Sequence, residues 1–148
     1  MVQNINQFQQ APSKGDKDLG ILSDNVISVQ LASGSAELFP GDAVVAVDSS
    51  SKLPQVTGVT AVTDQTLGFI ARNNKDNNYV AGDRLEIAIS GTVLYLEAGG
   101  AIGRFAEVEV NADGTKVVAA AGTNPAIGTA FDKAAADGDL VRVIVQTV

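Results

Sequence analysis

Between Asn25 and Gln146 short apolar runs alternate with breaks rich in glycine, asparagine and aspartate. Leu85, Ile87 and Ile89 interleave with Arg84, Glu86 and Ala88, and Val93 and Tyr95 with Leu94 and Leu96. That is the period-two spacing of strands with one face toward a core and one outward. The pattern predicts ten strands, over residues 26–32, 43–48, 55–62, 67–72, 84–90, 92–97, 105–110, 116–121, 127–131 and 140–146. Three breaks share one design: Pro40-Gly41-Asp42, Ala81-Gly82-Asp83 and Asp137-Gly138-Asp139 each lead into an aliphatic run. Glycine supplies the backbone freedom of a tight turn and aspartate bonds nearby backbone groups. Gly41, Asp42, Gly82, Asp83, Gly138 and Asp139 are therefore expected to be structural turn residues.

Asp113-Gly114, between Val108, Val110 and Val117, Val118, carries the strongest hairpin signal in the chain. Only Lys133-Ala134-Ala135-Ala136 has a helical composition, and it is long enough for a single turn. Many short strands with glycine-rich turns predict an all-β sandwich or small barrel, not a parallel sheet with crossover helices. There is also an internal echo. Leu67-Gly68-Phe69-Ile70-Ala71 precedes the second Gly-Asp strand as Ile127-Gly128-Thr129-Ala130-Phe131 precedes the third, so similar hairpins are expected within one body.

Residues 1–20 differ. Gln3, Asn4, Asn6, Gln7, Gln9 and Gln10 surround Ile5 and Phe8, and turn formers follow, so the expected organisation is a flexible N-terminal arm over 1–20 and a single β domain over 21–148. Apolar residues on such an arm become ordered by lying across a neighbour. Ile5, Phe8, Leu19 and Ile21 are the expected interface residues.

Composition narrows the chemistry. The chain has no cysteine and no histidine, which removes thiol nucleophiles, thiolate sites, the usual neutral-pH acid–base and the commonest transition-metal ligand. Asp42, Asp83 and Asp139 are scattered turn carboxylates, not a pair, and Ser49, Ser51 and Ser90 have no histidine to activate them. Gly99-Gly100-Ala101-Ile102-Gly103-Arg104 lacks the Lys-Ser/Thr ending of a phosphate loop and precedes a strand. The loops around Asp76, Asn77, Asn78 and around Asn111, Asp113 do not supply the six to eight oxygens calcium takes. No catalysis, no cofactor and no metal are expected. A net charge of −7 and 5% aromatic residues argue against nucleic acid as a partner. No apolar run reaches membrane-spanning length and no signal-like start is visible, so no membrane partner is expected and synthesis is placed in the cytoplasm of the producing cell.

The span from Thr66 to Val145 resembles the capsid cement, or head decoration, proteins of tailed bacteriophages. The likeness rests on Gly68-Phe69-Ile70-Ala71, Tyr79-Val80-Ala81-Gly82-Asp83-Arg84-Leu85-Glu86-Ile87-Ala88, Gly91-Thr92-Val93-Leu94-Tyr95-Leu96-Glu97-Ala98, and Ile127-Gly128-Thr129-Ala130-Phe131-Asp132-Lys133-Ala134 leading into Gly138-Asp139-Leu140-Val141-Arg142-Val143. The resemblance implies a non-enzymatic virion protein of jelly-roll-like or barrel-like β fold on the capsid exterior. It also implies a small homo-oligomer, trimer or dimer, that bridges subunits of the major capsid protein. Two other readings stand beside it. A carbohydrate- or receptor-binding β module of a tail or fibre would need exposed aromatics for sugar faces, and a carboxylate metal-dependent hydrolase would need a ligand cluster.

Overall fold

Alternation and turn chemistry produce ten strands in the computed structural model, which describes residues 11–18, 25–61, 64–72, 78–122 and 124–147: β1 (Val26–Leu31), β2 (Ala43–Val47), β3 (Gln55–Gly58), β4 (Thr66–Ile70), β5 (Arg84–Ala88), β6 (Val93–Glu97), β7 (Glu107–Val110), β8 (Val117–Ala119), β9 (Gly128–Ala130) and β10 (Leu140–Val145). No described residue is helical. The protein is all-β, with a small closed barrel in its first half and a second five-stranded sheet.

The first five strands close in the order β1-β3-β2-β4-β5, with β1 antiparallel to β5 and parallel to β3 through Gln30↔Gln55 and Leu31↔Val56. The last five form a sheet in the order β6-β10-β9-β7-β8. Followed from the third strand of each half, the two paths coincide: β3-β2-β4-β5-β1 and β8-β7-β9-β10-β6. The parallel contact that closes the first barrel returns in the second half as the bridge Ala98↔Val117, where the Gly99 N–H donates to the Val117 carbonyl at 2.8 Å. The antiparallel bridge Leu38↔Tyr79 likewise returns as Ile102↔Ala134. Two copies of one five-stranded plan make up the described chain.

Each half has a core built by the inward residues of its strands. Val29, Leu31, Leu38, Val44, Val56, Ile70, Tyr79, Leu85 and Ile87 fill the first barrel. Leu94, Leu96, Val108, Val117, Val141, Val143 and Val145 fill the second half and continue onto Ala43, Val59, Phe69 and Ala88 of the first. Full burial of such aliphatic side chains is worth roughly 1.5–3 kcal/mol each. Gly68 and Gly128 hold the same place in the two halves. A Cβ on Gly68 would strike the Ala88 carbonyl oxygen of β5, and one on Gly128 the Ile144 carbonyl oxygen of β10. The echo between these segments is therefore a shared need for close backbone approach.

Two expectations change, and part of the segment expected as an arm is seen on the body. Lys133-Ala134-Ala135-Ala136 forms no helical turn: Ala134 exchanges both backbone hydrogen bonds with Ile102, at 3.0 Å each, because the ladder offers partners a four-residue helix lacks. Asp113-Gly114 does sit in the β7–β8 hairpin, but within a six-residue loop between Val110 and Val117, with Gly114 at φ 76°. There Gly114 abuts Val59, and its carbonyl accepts the Ala43 N–H at 2.9 Å, so the hairpin tip docks on the first barrel. Finally, the arm drawn over residues 1–20 is bonded to the body at residues 13–18.

Candidate interaction surface

The three Gly-Asp breaks fold alike. In Phe39-Pro40-Gly41-Asp42, Val80-Ala81-Gly82-Asp83 and Ala136-Asp137-Gly138-Asp139 the first carbonyl accepts the fourth N–H at 3.1, 3.0 and 3.3 Å. Glycine in third place takes φ 86°, 92° and 93°. The aspartate Oδ2 then accepts the N–H of the first residue, at 2.9 Å from Phe39, 2.9 Å from Val80 and 3.1 Å from Ala136. Each turn thus satisfies its own donors and fixes the direction in which its first side chain leaves the body.

A fourth turn breaks the pattern. Gly103-Arg104-Phe105-Ala106 follows the Ile102 bridge and leads into β7 as Phe39-Pro40-Gly41-Asp42 follows Leu38 and leads into β2. Its Ala106 N–H donates to the Gly103 carbonyl at 3.2 Å. The place of Gly41 is taken by Phe105, at φ 62° the only described non-glycine residue with positive φ. The left-handed conformation costs an L-residue on the order of 1–2 kcal/mol. Sequence reading took Phe105 as the first residue of a strand and missed this; the signal was Leu38-Phe39-Pro40-Gly41 set against Ile102-Gly103-Arg104-Phe105.

Residues 13–18 form a strap across both halves. The Gly15 N–H donates to the Tyr95 carbonyl at 2.7 Å, Tyr95 returns a bond to Asp16 at 2.8 Å, and the Asp18 N–H donates to Val93 at 2.9 Å, extending the second sheet beyond its β6 edge. Toward the first barrel, Lys14 Nζ donates to Asp42 Oδ1 at 2.7 Å, and Asp42 is almost fully buried. Arg72 donates to the Lys14 carbonyl at 3.0 Å and pairs with Asp16 at 3.2 Å. Gly15 and Gly41 face one another so closely that a Cβ on either would meet the other segment within 3 Å.

On the second half Arg142 bonds both oxygens of Asp132, at 3.0 and 2.8 Å, and reaches Asp18 at 3.2 Å. The Arg142 guanidinium beside it holds the Asp132 carboxyl below the usual carboxylate range, and Asp132 and Asp18 push the Arg142 pKa up. The Thr115 hydroxyl and N–H lower Asp113, and the Thr60 and Ala61 N–H groups lower Asp64. A carboxylate depressed on folding stabilises fully above its unfolded value, near 3.9, and loses that contribution as the pH falls through its lower folded value. Denaturant melts should accordingly show stability falling below about pH 4, with a shallower fall in Asp132→Asn. An unchanged acid limb in that variant would refute the pairing.

Large apolar side chains reach solvent at three described positions: Phe39 is 48% exposed, Val80 50% and Phe105 69%. The Leu38↔Tyr79 register sets Glu37, Phe39, Asn78 and Val80 on the outward side of that bridge, and Asn78 donates to the Glu37 carboxylate. Phe105 meets Phe131 edge-on with ring centroids 6.4 Å apart. Among the described residues no cluster of carboxylates could hold a metal ion. Asn111 and Asp113 spend their oxygens on Lys116 and Thr115. Of the residues singled out from sequence, Gly41 and Asp42 lie under the strap, Gly82, Asp83, Gly138 and Asp139 lie in the other turns, and Ile5, Phe8, Leu19 and Ile21 fall outside the described residues.

No curated protein matches the sequence. Among solved structures the fold is similar to the N-terminal base of the head fiber gp8.5 of bacteriophage phi29, with a TM-score of 0.55 at 13% identity, covering 83% of this chain and 94% of that one. A likeness at that identity speaks to the fold alone. A model of the phage cement proteins matches residues 24–145, a span that includes both five-stranded halves and all four turns. The chain belongs to the phage cement protein family and is a structural protein of a phage virion.

Proposed function

We propose that the protein binds the outside of a phage head and cements neighbouring subunits of the major capsid protein, as a homo-oligomer that is a trimer or a dimer. The observation that carries this reading is where the exposed apolar side chains stand: Phe39, Val80 and Phe105 all sit in hydrogen-bonded turns of a double β body. Contact groups held so rigidly lose little freedom on docking, which favours attachment. No chemistry is asked of the chain, consistent with a sequence that has neither cysteine nor histidine.

The mechanism is linkage. A ligand that binds only the assembled shell stabilises it by about 2.7 kcal/mol per site at a hundredfold excess over Kd, and the effect multiplies over many sites. Mixing the purified protein with undecorated heads should give saturable decoration in electron micrographs and heads that survive hotter incubation. Heads left bare at saturating protein would refute the reading. Ile5, Phe8, Leu19 and Ile21 remain proposed contacts under it. Removal of residues 1–10 should leave a body with the parent melting temperature, since the strap begins at Ser13, and should weaken attachment or oligomer formation. A truncated chain that decorates as well as the parent would remove Ile5 and Phe8 from the interface.

A further inference from the structure

Phe105 holds a conformation that glycine would adopt without strain, and Gly41 does so at the matching place in the first half. Its ring is the most exposed of the large apolar side chains described, and its one aromatic contact, with Phe131, is edge-on. Backbone strain and an exposed ring both count against the isolated chain, and the sequence holds only five phenylalanines and two tyrosines. A residue unfavourable on both counts in the free protein is suited to burial against something else.

The surroundings indicate what. Arg104 precedes the ring, and Lys133 lies opposite Gly103 by the register of the Ile102↔Ala134 bridge. Both cations are exposed, and neither makes an ion pair with another described residue, in a chain of net charge −7. Asp132, the nearby acid, is bonded by Arg142 and feels the Arg104 charge only at longer range. An aromatic anchor flanked by exposed cations fits an apolar hollow rimmed by carboxylates. A two-fold contact centred on the ring would instead set these cations against their own images.

From this placement we infer that Phe105, framed by Arg104 and Lys133, is the anchor by which the protein docks into a carboxylate-rimmed apolar hollow on the shell protein. The inference rests on the cement reading and gives it a contact point.

The test is co-sedimentation with undecorated heads, using the parent, Phe105→Asn, Phe105→Gly and the double reversal Arg104→Glu with Lys133→Glu. Asparagine tolerates the left-handed region, so Phe105→Asn should melt at or above the parent temperature while binding heads at least tenfold more weakly. Phe105→Gly should bind as poorly as Phe105→Asn. The charge reversal should weaken binding about tenfold, and added salt should weaken it less than it weakens the parent. Parent-like binding by the Phe105 variants, with the parent itself binding, overturns the anchor and leaves the cement reading standing. A parent that binds no heads overturns both. A lowered melting temperature in Phe105→Asn would assign the ring to the fold. Dissociation of the free oligomer in the Phe105 variants, with head binding per chain unchanged, would make a second copy the occupant. Either of the last two results also overturns the inference.

Discussion

Asp42→Ala should destabilise the fold by about 3 kcal/mol, the low end of the range for removing one member of a buried ion pair, because the Lys14 ammonium left behind is only partly buried. Two bonds are lost together. Oδ1 no longer receives Lys14 Nζ, and Oδ2 no longer receives the Phe39 N–H, so the strap is loosened and the turn opened in one step. At about 2–4 °C per kcal/mol for a chain of this size, the melting temperature should drop by roughly 6–12 °C. Asp83→Ala and Asp139→Ala are internal controls. Their carboxylates close the same turn but carry no ion pair with a described residue, so each should lose only about 1 kcal/mol, as for a lost capping side chain. A double-mutant cycle with Lys14→Met isolates the pair, since the two losses should fall well short of adding. If Asp42→Ala melts together with Asp83→Ala, the strap contributes nothing.

The second large effect lies where strands of each half approach most closely. Gly68→Ala and Gly128→Ala place a methyl group against a backbone carbonyl of the neighbouring strand, which cannot step aside without disturbing the ladder. Losses of about 1–3 kcal/mol each are expected, the range of overpacked cores. Gly122→Ala is the comparison: its Cβ meets nothing within 4 Å, so only the positive φ of 83° opposes it. Calorimetry of the three variants decides, and equal melting of Gly68→Ala with the parent would remove the close-approach argument. Because Gly68 and Gly128 are matching positions, similar losses at both would also support the equivalence of the two halves.

Much of this fold could be read from the chain, for a specific reason. Turns made by Gly41-Asp42, Gly82-Asp83 and Gly138-Asp139 use only local atoms, and the alternation in β5 and β10 follows directly from a buried face. Those elements carry their instructions within a few residues. The strap does not: Lys14 finds Asp42 28 residues away, and Arg142 finds Asp18 across 124. Nothing near Lys14 or Asp18 in sequence signals such partners. The repetition of a whole half was visible only as a hairpin echo, because Arg104-Phe105-Ala106 stands where Pro40-Gly41-Asp42 would have completed the signature. That substitution hid the duplication and the exposed ring together.

Bonding of the strap to β6 and Arg142 also sets a timetable for the nascent chain. A ribosome delivers residues 13–18 well before their partners at Val93, Tyr95 and Arg142. The strap's contacts with Asp42 and Arg72 can therefore form before those with the second half exist. The first barrel, whose strands end at Ala88, can close with the strap held on one side only, the other half of its seat arriving with β6 and β10.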